Sequence, residues 1–193
     1  QISKGQYFKA LDGVSFSIEE GSLVVIGGAN GSGKSLLMSI IAGLVKATSG
    51  FVEINGKIGL VFQDPELQIL GETPYEDVAF GFKNKKLSKE EKEEKIIKAL
   101  ESVGLVEKKD SPSHSLSGGE KRRLAVASIL ALDSSIMIFD EPYSNMDYFG
   151  VCEVNSVIQA LHEAGKTVVV LTHELEKVLG LSDRFIALYQ GRC

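Results

Sequence analysis

The chain has 193 residues, 44% of them hydrophobic and 24% charged, the balance of a folded domain able to bury a sizeable core. A net charge of −5 excludes general polyanion binding, so a nucleic-acid role needs a local basic patch; the one compact basic run, Lys121-Arg122-Arg123, reads as the solvated face of a helix. Two cysteines, Cys152 and Cys193, offer neither a disulfide framework nor zinc-ligand spacing and suit a reducing compartment.

The polar opening, Gln1-Ile2-Ser3-Lys4, predicts no secretory leader, and the abrupt ends read as those of a chain trimmed from something longer. No apolar run approaches the ~18 residues of a membrane span. The first strand signal is Leu23–Ile26. Directly after it, Gly28-Ala29-Asn30-Gly31-Ser32-Gly33-Lys34-Ser35 matches G-x-x-x-x-G-K-[ST], and a helical pattern follows over Lys34–Ala42. Phosphates need many donors converging on a small anionic volume. Only a glycine-rich backbone wraps that closely, and the helix start adds its partial positive charge. Lys34 is then placed for the β- and γ-phosphates and the Ser35 hydroxyl for Mg²⁺. The plain alternative is a tight turn, but from a glycine frequency of ~7% a chance match is roughly one in a hundred.

Phe51–Ile54 and Ile58–Phe62 read as strands. From Asp64 to Ser115 no strong strand appears, and residues 64–115 read as a helical subdomain inserted into a body formed by 1–63 and 116–193. Its charged helix, Lys89–Val103, opens on a Ser88/Glu91 capping box and stops at Gly104. Glu91–Lys95 and Glu94–Lys98 stand at helix-stabilising i,i+4 spacing, while Ile96, Leu100 and Val103 form a core stripe.

In Leu116-Ser117-Gly118-Gly119-Glu120, Ser117 and Glu120 are a capping box opening a helix over Gly118–Ala131. The box does not explain two successive glycines in a first turn, where they weaken a helix; exposed N–H groups there suit a γ-phosphate. Ile136–Phe139 is an apolar strand ending in Asp140 and Glu141, placed for Mg²⁺ and for an attacking water. A solvated acidic turn before Pro142 is the plain alternative. A helix over Val151–Ala164, a buried strand Val168–Leu171, a short helix Glu174–Leu179 and a strand Phe185–Tyr189 complete the pattern. This alternation predicts an α/β fold with a mostly parallel sheet.

In order along the chain, these motifs resemble those of an ABC-type ATPase, a P-loop NTPase with an inserted helical subdomain. The phosphate loop is Gly28–Ser35, the Q-loop glutamine Gln63, the signature Leu116–Glu120, Walker B Ile136–Glu141, the D-loop Ser144-Asn145-Met146-Asp147 and the switch histidine His173. The stretch Val61–Gly81, with Gln68 and Tyr75–Gly81, is similar to ATPases of energy-coupling factor importers of the cobalt, nickel and vitamin group, and a signature ending in Glu suits that group. Departures are Asn145-Met146, where a small residue and Leu are usual, and Tyr143 in place of Thr.

The resemblance implies ATP and Mg²⁺ shared between two head-to-tail ATPase subunits, identical or not. Asn30, Gly31, Ser32, Gly33, Lys34, Ser35 and Leu36 would hold phosphates; Ser117, Gly118 and Gly119 would complete the opposite site; Ser35, Gln63 and Asp140 would face the metal. Lys34, Gln63, Glu141 and His173 form the implied catalytic set, with Tyr7 or Phe8 stacking on adenine. It further implies integral membrane partners, a peripheral position on the cytoplasmic face of the cell membrane and no nucleic-acid partner. A soluble ABC-type ATPase acting on nucleic acid or the ribosome is the rival. Such chains carry a long coiled-coil insertion, whereas the insert here is only 64–115, or two ATPase domains, of which this sequence holds one unless trimming removed the other.

Overall fold

The computed structural model describes residues 9–144 and 146–193. Among the described residues, five parallel strands form one sheet: β1 (Leu23–Gly27), β2 (Ile58–Val61), β3 (Ile136–Asp140), β4 (Thr167–Thr172) and β5 (Arg184–Ala187), in the order β2-β3-β4-β1-β5. Every residue of β1 and β4 is buried, as continuous Val/Ile/Leu runs require when helices cover both faces. Side chains alternate across the pleat. Leu23, Val25, Met137, Phe139, Val168 and Val170 enter one core layer, with Leu124, Ile158 and Leu100 from the helices. Val24, Ile26, Ile138, Val169 and Leu171 enter the other, against Leu37 and Met38.

That second layer is covered by α1 (Lys34–Ile41). The first is covered by α2 (Pro74–Phe80), α3 (Lys89–Ser102), α4 (Gly118–Leu130) and α5 (Tyr148–Glu163). Register places the C-terminal ends of β1, β3 and β4 side by side, with Gly27 opposite Thr172 and Asp140 opposite Leu171. In an open parallel sheet this is the edge where ligands collect.

Three local expectations change. Phe51–Ile54 is not a strand: Phe51 is 84% exposed, and β propensity forms no ladder without a partner's hydrogen bonds. Glu174–Leu179 is not one helix but two short 3₁₀ turns, Leu175–Lys177 and Leu179–Leu181. Lys95 does not pair with Glu91, which is engaged in the Ser88 capping box; it reaches Asp133 at 3.0 Å. Sequence reading also passed over α2, although Thr73 caps it and Pro74 occupies its first turn. Both expected capping boxes form, and Ile96, Leu100 and Val103 are buried.

Candidate functional site

The bend after β1 is fixed by steric constraint. Gly31 and Gly33 have φ of 81° and 105°, in the left-handed region that glycine tolerates. A Cβ on Gly33 would also lie 2.8 Å from Leu11 Cδ2 and 3.0 Å from Ala10 O. Asn30 and Gly31 are exposed at the loop tip, Ser32 and Lys34 are buried, Ser35 is exposed and Leu36 half-buried. Gly33 is the N-cap of α1 with no side-chain cap, and no acid stands in the first turn, so no side chain competes for the opening N–H groups.

Lys34 turns back into the loop. Its Nζ donates to Gly28 O at 2.7 Å and Ala29 O at 3.3 Å and meets Glu141 Oε1 at 3.1 Å. Glu141 follows β3 with φ of 46°, a conformation uncommon outside glycine, which swings its carboxylate toward β1 and β4. Its Oε2 lies 2.8 Å from His173 Nδ1 and accepts the His173 backbone N–H at 3.2 Å. Burial pushes the Glu141 carboxyl up, but hydrogen bonds from Lys34 and His173 outweigh it and hold the group below its ordinary value. The structure thus brings together Lys34, Glu141 and His173 from three elements distant in sequence.

Asp140 behaves oppositely. Burial and the neighbouring Glu141 charge raise its pKa, opposed more weakly by the Ser35 hydroxyl and Lys34. Its Oδ1 and the Ser32 hydroxyl are buried with no hydrogen-bond partner among the described residues. An unsatisfied, desolvated carboxylate oxygen beside a hydroxyl and a glycine loop is chemistry that a hard divalent cation and a phosphate would complete. The residues present fit Mg²⁺ and a nucleotide.

Gln63, just past β2, is exposed, and its Nε2 donates to Ser144 Oγ at 3.1 Å. Ser117, Gly118 and Gly119 open α4, which packs on β2, α2, α3 and α5, whereas α1 packs on β3 and β4. Among the described residues the signature makes no hydrogen bond to the phosphate loop; Ser117 and Gly118 face solvent. The signature and the phosphate loop therefore stand at the starts of two different helices. Tyr7 and Asn145 lie outside the described residues.

Two further groups escaped sequence reading. Asp77 of α2 is 5% exposed and accepts from Leu70 N at 2.6 Å, Gly71 N at 3.0 Å and Ser128 Oγ of α4 at 2.6 Å. Arg122 is also 5% exposed, so the Lys121-Arg122-Arg123 run is not a solvated face. The available signal was phase: Arg122, Val126 and Ile129 fall at i, i+4 and i+7 of α4, and all three are buried.

A glycine loop between a central strand and a helix, facing two carboxylates at the end of β3, defines a P-loop NTPase. The chain belongs to the ABC transporter family, whose family model matches residues 11–144. It is similar to the energy-coupling factor transporter ATP-binding protein EcfA of Carboxydothermus hydrogenoformans, 41% identical over 197 residues that cover 95% of this chain and 73% of that protein. The EcfA of Methanosphaera stadtmanae is 37% identical over 199 residues, covering 95% of this chain and 72% of that one. Among solved structures, cbiO1 of Clostridium perfringens, part of the ABC transporter complex cbiONQ, superposes with a TM-score of 0.88 at 33% identity, covering 95% of this chain and 79% of that chain. A dimeric ATP-binding cassette in a post-hydrolysis state, bound to ADP and Pi, superposes at 0.83 with 30% identity, covering 100% and 91% respectively.

Proposed function

We propose that this chain is the ATP-binding, ATP-hydrolysing subunit of an energy-coupling factor importer, working as one of two ATPase subunits on the cytoplasmic face of the cell membrane. The observation that carries the reading is the Lys34–Glu141–His173 cluster beside the unsatisfied Asp140 Oδ1 and Ser32 hydroxyl. It suits a nucleotide's phosphates: a buried cation, uncapped backbone donors and a carboxylate poised over the same edge.

In this reading the Gly28–Ser35 backbone and Lys34 bind the phosphates, with Leu36 in the same helix turn. Ser35, Gln63 and Asp140 would hold Mg²⁺, which would neutralise phosphate charge. Glu141 then exchanges Lys34 for a water molecule, which it orients and deprotonates, and His173 stays within hydrogen-bonding reach of Glu141 and turns toward the γ-phosphate. Ser117, Gly118 and Gly119 of a second subunit supply the remaining donors, which is why one chain keeps them apart from its own loop. Closure depends on contacts made to the γ-phosphate from both chains, so cleavage removes part of what favours the closed state. The helical subdomain, 64–115, passes that change to integral membrane subunits. No helix among the described residues is long and apolar enough to cross a membrane. The transported solute, a vitamin or a transition-metal ion, would be chosen by those subunits.

Two measurements test this. Purified chain should bind and hydrolyse ATP only with Mg²⁺ and form dimers when ATP is bound but not cleaved. An affinity-tagged chain expressed in its own host should co-purify with detergent-solubilised membrane proteins. Absence of ATP binding refutes the nucleotide site; recovery with ribosomes or DNA in place of membrane proteins refutes the transport role.

A further inference from the structure

The basic run Lys121-Arg122-Arg123 plays no part in the chemistry above, yet all three of its side chains are engaged. Lys121 pairs with Glu66 in the turn after Gln63, and Arg123 with Glu153 of α5 at 3.0 Å. Between them Arg122 is buried, and burial lowers its pKa. A guanidinium in such a place is costly to keep and persists only where its donors are used.

Its donors go to two loops. Nη2 donates to the Gln63 carbonyl at 3.0 Å and Nη1 to Met146 Sδ at 3.1 Å, while Nε has no partner among the described residues. Gln63 in turn donates from Nε2 to Ser144 Oγ at 3.1 Å. One rigid fork thus joins the loop of Gln63 and the loop of Ser144 and Met146 to the helix that begins at Ser117. Arg122 stands five residues from Ser117, about 7.5 Å along the axis at 1.5 Å per residue, so it moves with the helix start. A lysine offers a single ammonium and cannot span both acceptors in the same way.

We propose that Arg122 is a positioning residue that locks Gln63, Ser144 and Met146 to the start of α4, linking the nucleotide in a chain's own phosphate loop to the one its Ser117–Gly119 segment contacts in the partner. The inference rests on the two-subunit reading above and names how its two sites communicate. Displacement of Ser117 on closure carries Arg122, and Arg122 carries the backbone that presents the Gln63 amide.

The test uses the full chain as wild type, Arg122→Met, Arg122→Lys, Gln63→Ala and the Arg122→Met/Gln63→Ala double variant. MgATP affinity, kcat, KM, the Hill coefficient of hydrolysis and Tm are measured for each. Arg122→Met keeps length and burial but removes every donor. It should hold MgATP affinity and KM within about twofold while kcat falls about tenfold and the Hill coefficient drops to about one, with Arg122→Lys intermediate. Gln63→Ala should cost less in the Arg122→Met background than in wild type, because Arg122 holds the backbone that presents the Gln63 amide. A purely structural role would lower Tm and scale the active fraction, leaving cooperativity intact and the two losses multiplicative; that result overturns the proposal, as does kcat within about twofold of wild type. If Arg122→Met does not fold, Arg122→Lys decides by the same measures. Wild type that neither binds nor hydrolyses ATP overturns the parent reading as well, whereas a cooperative wild type with an unaffected Arg122→Met overturns this inference alone.

Discussion

Replacing Glu141 by Gln separates two roles of one carboxylate. Glu141 is the counter-ion of Lys34, whose side chain is 5% exposed against 10% for Glu141. Removing one partner of a buried pair costs about 3–5 kcal/mol. Lys34 keeps the Gly28 and Ala29 carbonyls at 2.7 and 3.3 Å, and an amide oxygen still accepts, which favours the lower end, about 3 kcal/mol. At roughly 2–4 °C per kcal/mol for a domain this size, Tm without nucleotide should fall by about 6–12 °C. Phosphate oxygens replace the carboxylate as partners of Lys34 once MgATP binds, so the bound state escapes this loss. ATP affinity should therefore rise by about 100-fold, the equivalent of about 3 kcal/mol. Turnover should fall about 10²–10⁴-fold with the general base gone.

Differential scanning fluorimetry with and without MgATP, run beside a phosphate-release assay, reads all three quantities. Unchanged Tm together with unchanged ATP affinity refutes the Lys34–Glu141 exchange; turnover close to wild type refutes the base. The pH dependence gives an independent sign. The folded carboxyl lies below its ordinary value of 4.5, so its contribution to stability is complete above that pH and is lost as pH falls through the lowered value. The Tm gap between wild type and variant should close in acid below 4.5 and stay constant from there to neutrality.

Asp140→Asn should do the reverse in the absence of nucleotide. Burial and the Glu141 charge penalise the Asp140 carboxylate, so the amide should raise Tm by about 2–4 °C, about 1 kcal/mol, while Mg²⁺-dependent hydrolysis is lost; a lower Tm in metal-free buffer contradicts the assigned strain. Gly33→Ala places a Cβ at 2.8 Å from Leu11 Cδ2 in a backbone with φ of 105°, and should destabilise by about 1–3 kcal/mol and weaken ATP binding, read by the same melts and by nucleotide titration. Asp77→Ala frees the Leu70 and Gly71 N–H groups and the Ser128 hydroxyl, and at about 1–3 kcal/mol per unsatisfied group should unfold the chain at markedly lower urea with its catalytic residues intact. A midpoint equal to wild type would show that water replaces all three contacts.

What was legible in the sequence depended on how far each feature reaches along the chain. The phosphate loop, both capping boxes and the apolar strands are set by neighbours within a few residues, so glycine spacing, Ser-x-x-Glu pairs and Val/Ile runs disclosed them directly. The Lys34–Glu141–His173 contacts were legible only in part. Strand-end position put all three at one edge, but the ion pair itself depends on the positive φ of Glu141, which no local pattern announced. Phe51–Ile54 shows the converse. It has every local mark of a strand, yet pairing is a property of two segments and the described residues supply no second one. Arg122 is the sharpest case. Its charge argues for solvent, whereas its place on the Val126–Ile129 stripe argues for the core. The structure resolves the conflict in favour of phase because two loops far away in sequence bring a carbonyl and a thioether to meet the guanidinium. A charged residue on the apolar stripe of a helix is therefore best read as a request for specific acceptors, and the segments able to supply them are where a site's internal wiring should be sought.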